Sequence, residues 1–154
     1  MDSAGPGDAK ATAPRALQPR MLYLVRRAYA GTRARLDAVT RAHDLTAGDY
    51  TMLAFLRRHE PCSAAELSRL HGTTPQATTQ QIAQLEGKAM VTREASTANR
   101  RISLIRMTSS GRTALEAISR AAGDIEAELL DGFTPVEREA VLAFLYRASG
   151  LRRG

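Results

Sequence analysis

The segment that decides the fold covers residues 63–107 and reads SAAELSRLHG (63–72), TTPQATTQQIAQLEGKAMVTRE (73–94), ASTANRR (95–101) and ISLIRM (102–107). Its first piece begins with a capping box. Ser63 can accept a hydrogen bond from the backbone N–H of Glu66, while the Glu66 side chain reaches back to Ser63. Gly72 follows as a residue suited to the left-handed position that ends a helix. The pattern predicts a short helix up to His71.

A second short helix is predicted directly after this stop. Thr74 is placed as its N-cap and Pro75 as its first residue, where the missing N–H of proline costs nothing. Two capped helices joined by so tight a turn are typical of a helix-turn-helix, whose second helix enters a groove of DNA. Strand patterns at 90–94 and 101–107 flank a basic turn, and they favour the winged form of that motif.

The composition is typical of a compact protein that binds a polyanion. Hydrophobic residues make up 44% of the 154 residues, enough for one core. Lys and Arg number 22 against 16 Asp and Glu, and six of the basic residues lie in 66–107 against three acidic ones. Such a basic surplus suits a nucleic acid. No apolar run approaches the ~20 residues of a membrane span, and no secretory signal begins the chain, so we expect a cytoplasmic protein without membrane contact.

Further helices are predicted on both sides of the motif from apolar spacing and caps. The composition of residues 1–15 predicts a disordered arm, and residues 16–150 are expected to form a single domain. A long helix is predicted at about 17–42, and a second begins at Thr46. A fifth follows Thr108 and a sixth follows Thr134. The fifth carries apolar residues at a near-heptad spacing, typical of a helix that packs on another helix: Leu115, Ile118, Ala122, Ile125 and Leu129. The fold class expected is mainly α with a small two-stranded β-wing.

This order of elements resembles the MarR family of winged helix-turn-helix transcriptional regulators. The pieces that carry the resemblance are the capped helix pair, LTAGDYTML (45–53), LEGKAMVTRE (85–94), ASTANRR (95–101) and ISLIRMTSSGR (102–112). The resemblance implies a winged helix-turn-helix at about 45–107, with long dimerisation helices at about 17–42 and 109–148. It favours a dimer interface for the stripe from Leu115 to Leu129, which could otherwise be core within one chain. It also implies a homodimeric repressor on a pseudo-palindromic operator in double-stranded DNA, released by a small aromatic or phenolic effector.

The resemblance places the DNA contacts on the second helix of the motif and on the wing. The predicted contact residues are Thr74, Pro75, Gln76, Ala77, Thr79 and Gln80 on the helix, and Arg93, Arg100 and Arg101 along the wing. The chain has Gln80 where the family often has Arg, and Ser96 and Asn99 where its wing often has Asp. Amides and hydroxyls on the helix favour adenine and thymine edges. Tyr29, His43 and Tyr50 are effector candidates by location alone.

Other interpretations of these features stay open. The helix glutamines could be an ordinary solvated face, and the wing arginines ordinary turn charges. Cys62 could sense oxidants, but a single cysteine excludes an internal disulfide and a multi-cysteine zinc site, so we expect no metal and no cofactor. Enzyme motifs such as GxSxG, HExxH and a Gly-rich phosphate loop are missing, which argues against an enzyme. A winged-helix adaptor that binds only protein is a further alternative, although the basic wing argues against it.

Overall fold

A computed structural model describes residues 20–150, so the predicted arm at 1–15 and the first residues of the predicted 17–42 helix lie outside the described range. The elements in chain order are α1 (Met21–Arg41), α2 (Ala47–His59), β1 (Cys62–Ser63), α3 (Ala64–His71), α4 (Pro75–Gly87), β2 (Val91–Ala95), β3 (Ser103–Met107), α5 (Ser109–Leu129) and α6 (Pro135–Ser149). This order confirms the predicted fold class, a mainly helical chain with a winged helix-turn-helix.

The sheet differs from the prediction by one strand. β1 pairs antiparallel with β3, with Cys62 opposite Ile105 and Ser63 opposite Leu104. β2 pairs with the other edge of β3, so the order is β1-β3-β2. The expected two-stranded wing is therefore part of a three-stranded sheet. Two residues are too few to show the alternation that identifies a strand in sequence. β1 can therefore be recognised only from its pairing with β3.

Local capping sets the start of most helices. Thr46 accepts from the Asp49 N–H at 3.0 Å, Ser63 from Glu66 at 3.3 Å and Thr134 from Glu137 at 3.4 Å. In each case the acidic side chain returns a bond to the capping residue, which completes a capping box. The starts of α2, α3 and α6 thus follow directly from the residues that the sequence places there.

One apolar core joins the motif to α5. Each helix from α2 to α5 contributes one buried stripe, and full burial of each large apolar side chain stabilises the fold by about 1.5–3 kcal/mol. The fully buried apolar side chains are Met52, Leu53, Leu56, Leu67, Ile82, Leu85, Ile105, Leu115 and Ile118. This core holds the two helices of the motif at a fixed angle to the sheet.

The predicted interface stripe of α5 is divided between two environments. Leu115 and Ile118 are completely buried in the chain's own core, which corrects their assignment to a dimer interface. They are buried because the first turns of α5 pack on α1, α2 and β3. Leu129 at the far end is 46% exposed. α6 is more exposed than α5, since none of its residues is buried in the single chain.

The start of α5 is clamped onto the segment that leads into the wing. Thr108 donates its backbone N–H to the Met90 carbonyl at 3.0 Å and its hydroxyl to the Ala89 carbonyl at 2.7 Å. One turn later, a Cβ on Gly111 would lie only 2.1 Å from the same Met90 oxygen. Only glycine allows this approach of helix to backbone.

Candidate nucleic-acid interface

The turn between α3 and α4 is fixed by hydrogen bonds. Gly72 ends α3 in the left-handed region, with φ +69°. The Ser68 hydroxyl donates to the Thr73 carbonyl at 2.7 Å, and the hydroxyls of Thr73 and Thr78 lie 2.7 Å apart. Since Ser68 and Thr78 are both buried, these bonds tie α3 to α4 from the inside. The two helices of the motif are therefore presented as one rigid unit.

The outer face of α4 is polar and exposed. Exposed side chains are found at all the predicted helix positions: Thr74, Pro75, Gln76, Ala77, Thr79 and Gln80. Two of the hydroxyls serve the helix itself, because Thr74 accepts from the Ala77 N–H at 3.2 Å and Thr79 donates to the Pro75 carbonyl at 2.8 Å. The amides of Gln76 and Gln80 form no hydrogen bond within residues 20–150, so they are open to a ligand.

The wing tip is braced by Ser96 and Asn99. The Asn99 side-chain oxygen accepts a hydrogen bond from the Arg101 N–H at 3.0 Å, and the Asn99 backbone carbonyl accepts one from the Ile102 N–H at 2.8 Å. Ser96 closes the hairpin by donating its N–H to the Ile102 carbonyl at 2.9 Å. Arg100 and Arg101 are exposed, and neither forms an ion pair within the described residues. The wing thus carries two available guanidinium groups on an ordered turn.

Two other arginines of the wing are already paired with acids. Arg93 Nε donates to Glu86 at 2.9 Å, and Arg106 Nε donates to Glu94 at 2.8 Å. Both pairs are largely solvated, so each contributes about 0–1 kcal/mol to stability. Arg93 is one of the predicted DNA contacts, and the structure pairs its side chain, on β2, with Glu86 on α4. Its availability to a phosphate is therefore lower than that of Arg100.

The three effector candidates lie in different surroundings. Tyr29 is 62% exposed on α1, and its hydroxyl accepts from Arg33 at 3.1 Å. The Tyr50 hydroxyl lies 3.4 Å from the Ser119 hydroxyl at the edge of the core. His43 lines a shallow hollow of about 360 Å³ at the start of α5, and neither tyrosine contributes to its wall. The remaining lining residues of this hollow are Ser109, Ser110, Thr113 and Ala114.

Cys62 has the environment of a structural residue. Its side chain is only 4% exposed. Burial, followed by the nearby charges of Glu66 and Glu60, raises the pKa of the Cys62 thiol. A protonated thiol is a poor nucleophile towards oxidants, so the sensor interpretation loses support. Within residues 20–150, no group of three His, Cys, Asp or Glu side chains is placed to hold a metal ion.

The carboxylate that completes the capping box of α2 is buried and joins α2 to α4. Asp49 is 2% exposed. Its Oδ1 lies 3.4 Å from Gln81 Nε2, and its Oδ2 lies 3.4 Å from Lys88 Nζ. Lys88 also donates to the Asp44 carbonyl at 2.6 Å. Sequence reasoning missed these contacts because their partners lie 32 or more positions away along the chain.

The fold is shared with solved structures over most of its length. MepR of S. aureus in its DNA complex matches at 20% identity over 85% of this chain and 95% of its own, with a TM-score of 0.72. MarR of E. coli matches at 20% identity over 85% and 98%, with a TM-score of 0.68. BpsR of Bordetella bronchiseptica, whose DNA binding is regulated by 6-hydroxynicotinic acid, matches at 26% identity over 82% and 96%, with a TM-score of 0.67.

Sequence comparison identifies the same region that the structure singles out. No curated protein matches the chain at a significant level. A sequence model of the MarR family matches residues 43–102, which cover α2, the helix-turn-helix, β2 and the wing turn. Among the helices of residues 20–150, none combines the length and apolar character needed to cross a bilayer. Over the motif the chain is therefore similar to the MarR family, and around the motif it shares the fold of these solved structures.

Proposed function

We propose that this protein is a sequence-specific regulator of transcription that binds double-stranded DNA, a homodimeric repressor rather than an enzyme, acting in the cytoplasm. The observation that carries the proposal is the exposed face of α4, where the amides of Gln76 and Gln80 have no internal partner, beside a braced wing with two available arginines. A helix of this kind fits the B-DNA major groove, which is about 12 Å wide. MepR, which has the same fold, has been solved in complex with DNA, and this supports the proposal.

The two parts of the interface have different tasks. α4 contains no Lys or Arg between Pro75 and Gly87, so its amides supply selectivity through base edges rather than charge. Arg100 and Arg101 supply attraction, through phosphates or an adjacent minor groove. Together they give a lobe that reads one half-site.

Exposed apolar surface supports a dimer of such lobes. α1 exposes Met21, Leu22 and Tyr29 by 61%, 76% and 62%, and α6 exposes Leu145 by 51%. Apolar surface of this extent on long helices is typical of an interface. A two-fold dimer places two copies of α4 on half-sites about 34–36 Å apart on a pseudo-palindromic operator.

We also propose that a small effector molecule binds this protein and releases it from DNA. A small aromatic acid, 6-hydroxynicotinic acid, regulates DNA binding in BpsR. We place an effector of that class in the hollow beside His43, whose volume of about 360 Å³ lies within the range of small-ligand sites. His43 and three hydroxyl side chains line that hollow, and such groups hydrogen-bond a carboxylate or a phenol.

Gln80→Ala tests the reading of sequence. If its amide pairs with an adenine edge, affinity for the preferred operator falls by about 1–3 kcal/mol, and affinity for unrelated DNA stays the same. The salt dependence stays unchanged because no charge is removed. The measurement is affinity for operators substituted one base pair at a time, with wild type beside mutant. Gln84→Ala, on the C-terminal part of the same helix, is the control. Equal losses on both DNAs would mean that Gln80 does not read a base.

Arg100→Ala tests the electrostatic part. Affinity for operator and unrelated DNA should fall together, and the slope of log K against log salt should fall by about one unit if the guanidinium contacts a phosphate. Arg120→Ala removes the same charge from α5 and should change neither affinity by a comparable amount. Titrations at four or five salt concentrations measure both quantities. An unaltered slope and affinity in Arg100→Ala would exclude the wing tip from the interface.

A further inference from the structure

Asp49 differs from the other acidic residues that complete capping boxes in this chain. Glu66 and Glu137 perform the same task on α3 and α6, and both are exposed. Asp49 completes the box on α2 but is only 2% exposed. A cap needs one carboxylate oxygen directed at one backbone N–H. The burial of Asp49 therefore requires another explanation.

Contacts with α4 supply that explanation. Oδ2 of Asp49 accepts from the Thr46 N–H at 3.0 Å and lies 3.4 Å from Lys88 Nζ, while Oδ1 lies 3.4 Å from Gln81 Nε2. The first turn of α2 is close to this amide, since a Cβ on Gly48 would lie 3.2 Å from Gln81 Nε2. A carboxylate loses much favourable hydration on burial unless charge and hydrogen bonds replace it. Lys88, Gln81 and Thr46 provide both.

Gln81 is the residue next to Gln80 on α4. Neighbouring residues on a helix are turned by about 100° from each other, so one glutamine faces α2 while the other faces outward. Apolar contacts such as those of Ile82 and Leu85 have no directional preference and tolerate a small rotation of α4 about its axis. A hydrogen bond to a fixed carboxylate does not tolerate such a rotation, because it weakens steeply as the angle between donor, hydrogen and acceptor departs from linear.

We infer that Asp49, acting through Gln81 and Lys88, is a positioning residue that sets the rotation of α4 about its own axis. It thereby aligns Gln76 and Gln80 with the base edges that they read. The inference rests on the proposed DNA-binding function and deepens it, because it assigns part of the sequence selectivity to a buried carboxylate that does not touch DNA. Small displacements of directional contacts lose much of their energy.

Gln81→Met removes the amide and keeps the length and packing of the side chain. The probe is an operator selected from random duplexes, compared with an unrelated duplex of the same length. Selectivity, the ratio of the two affinities, should fall about three- to tenfold, the equivalent of one hydrogen bond. Affinity for the unrelated duplex should not change. Gln84→Met, an exposed position on the same helix, should leave selectivity intact. Partial unfolding lowers both affinities equally, so the ratio stays informative if the variant is less stable.

Exchange of the two partners provides a rescue. Gln81→Glu alone places a second carboxylate beside Asp49 and should reduce selectivity. Asp49→Asn combined with Gln81→Glu restores one donor and one acceptor with exchanged roles, and should recover most of the wild-type ratio. A purely structural role would lower the melting temperature and leave the ratio unchanged in every variant, which would overturn the inference. Wild-type protein without any sequence preference would instead overturn the proposed function, and the inference with it.

Discussion

Gly111→Ala should lower the free energy of unfolding by about 3 kcal/mol or more, at the upper end of what overpacking costs. The added methyl would lie 2.1 Å from the Met90 carbonyl oxygen and 2.8 Å from Met107 Cγ. The side chain of Met107 can move, but the Met90 oxygen belongs to the backbone and already accepts from the Thr108 N–H. α5 must therefore separate from the base of the wing. Denaturant unfolding followed by circular dichroism measures the loss.

Gly87→Ala is the matched control for this experiment. Gly87 is the last residue of α4, and a Cβ there would meet nothing within 4 Å. Alanine should be neutral or should stabilise by a few tenths to about 1 kcal/mol, since glycine loses more backbone entropy on folding. A Gly111→Ala variant as stable as the Gly87→Ala variant would show that the clamp between α5 and the wing is looser than the structure indicates.

Removal of residues 134–154, which deletes α6, should abolish dimer formation and operator binding. α6 buries no side chain in the single chain, so its apolar residues have to be covered by another surface if it is to be a stable helix in water. The truncated protein should be a monomer or insoluble. Light scattering combined with size-exclusion chromatography gives the mass, and titration with the operator gives the affinity. A soluble monomer that binds the operator as tightly as the full chain would contradict the dimer.

Point variants separate the loss of the interface from the loss of the helix. Leu145→Glu places a charge on a side chain that is 51% exposed, so a single chain has little reason to be destabilised. In a dimer the same charge would be buried without a partner, at a cost of several kcal/mol. We therefore expect Leu145→Glu to reduce dimerisation strongly and to leave the helical content of the monomer intact.

The parts of the fold that sequence could predict are those that depend on neighbouring residues. The capping residues Thr46, Ser63 and Thr134 begin helices where expected, because the bonds they make span only three positions. The exposure of the outer face of α4 follows in the same way, since the caps place the helix and the apolar positions Ile82 and Leu85 set its buried side.

The parts that sequence could not predict depend on residues far apart in the chain. β1 exists only because Cys62 meets Ile105. The stripe of α5 shows the same limit, because Leu115 and Leu129 have one periodicity in sequence but different environments in the fold. The sequence gives Arg93 no partner, and in the fold Glu86 on α4 pairs with it. Apolar spacing predicts that a face is covered, and only the structure shows what covers it.

The paired arginines of the wing also determine how the protein responds to electrolytes. Each cation that neutralises a phosphate displaces about 0.9 of a condensed counterion from DNA. Arg93 and Arg106 already have carboxylate partners. Bringing these two arginines close to DNA therefore displaces fewer counterions than two unpaired arginines would. The count of 22 Lys and Arg residues thus overstates the contribution of ion release to binding, and amide contacts on α4 make up a larger share. Occupancy of the operator should consequently vary less with the ionic strength of the cell than in a regulator whose wing arginines are all unpaired.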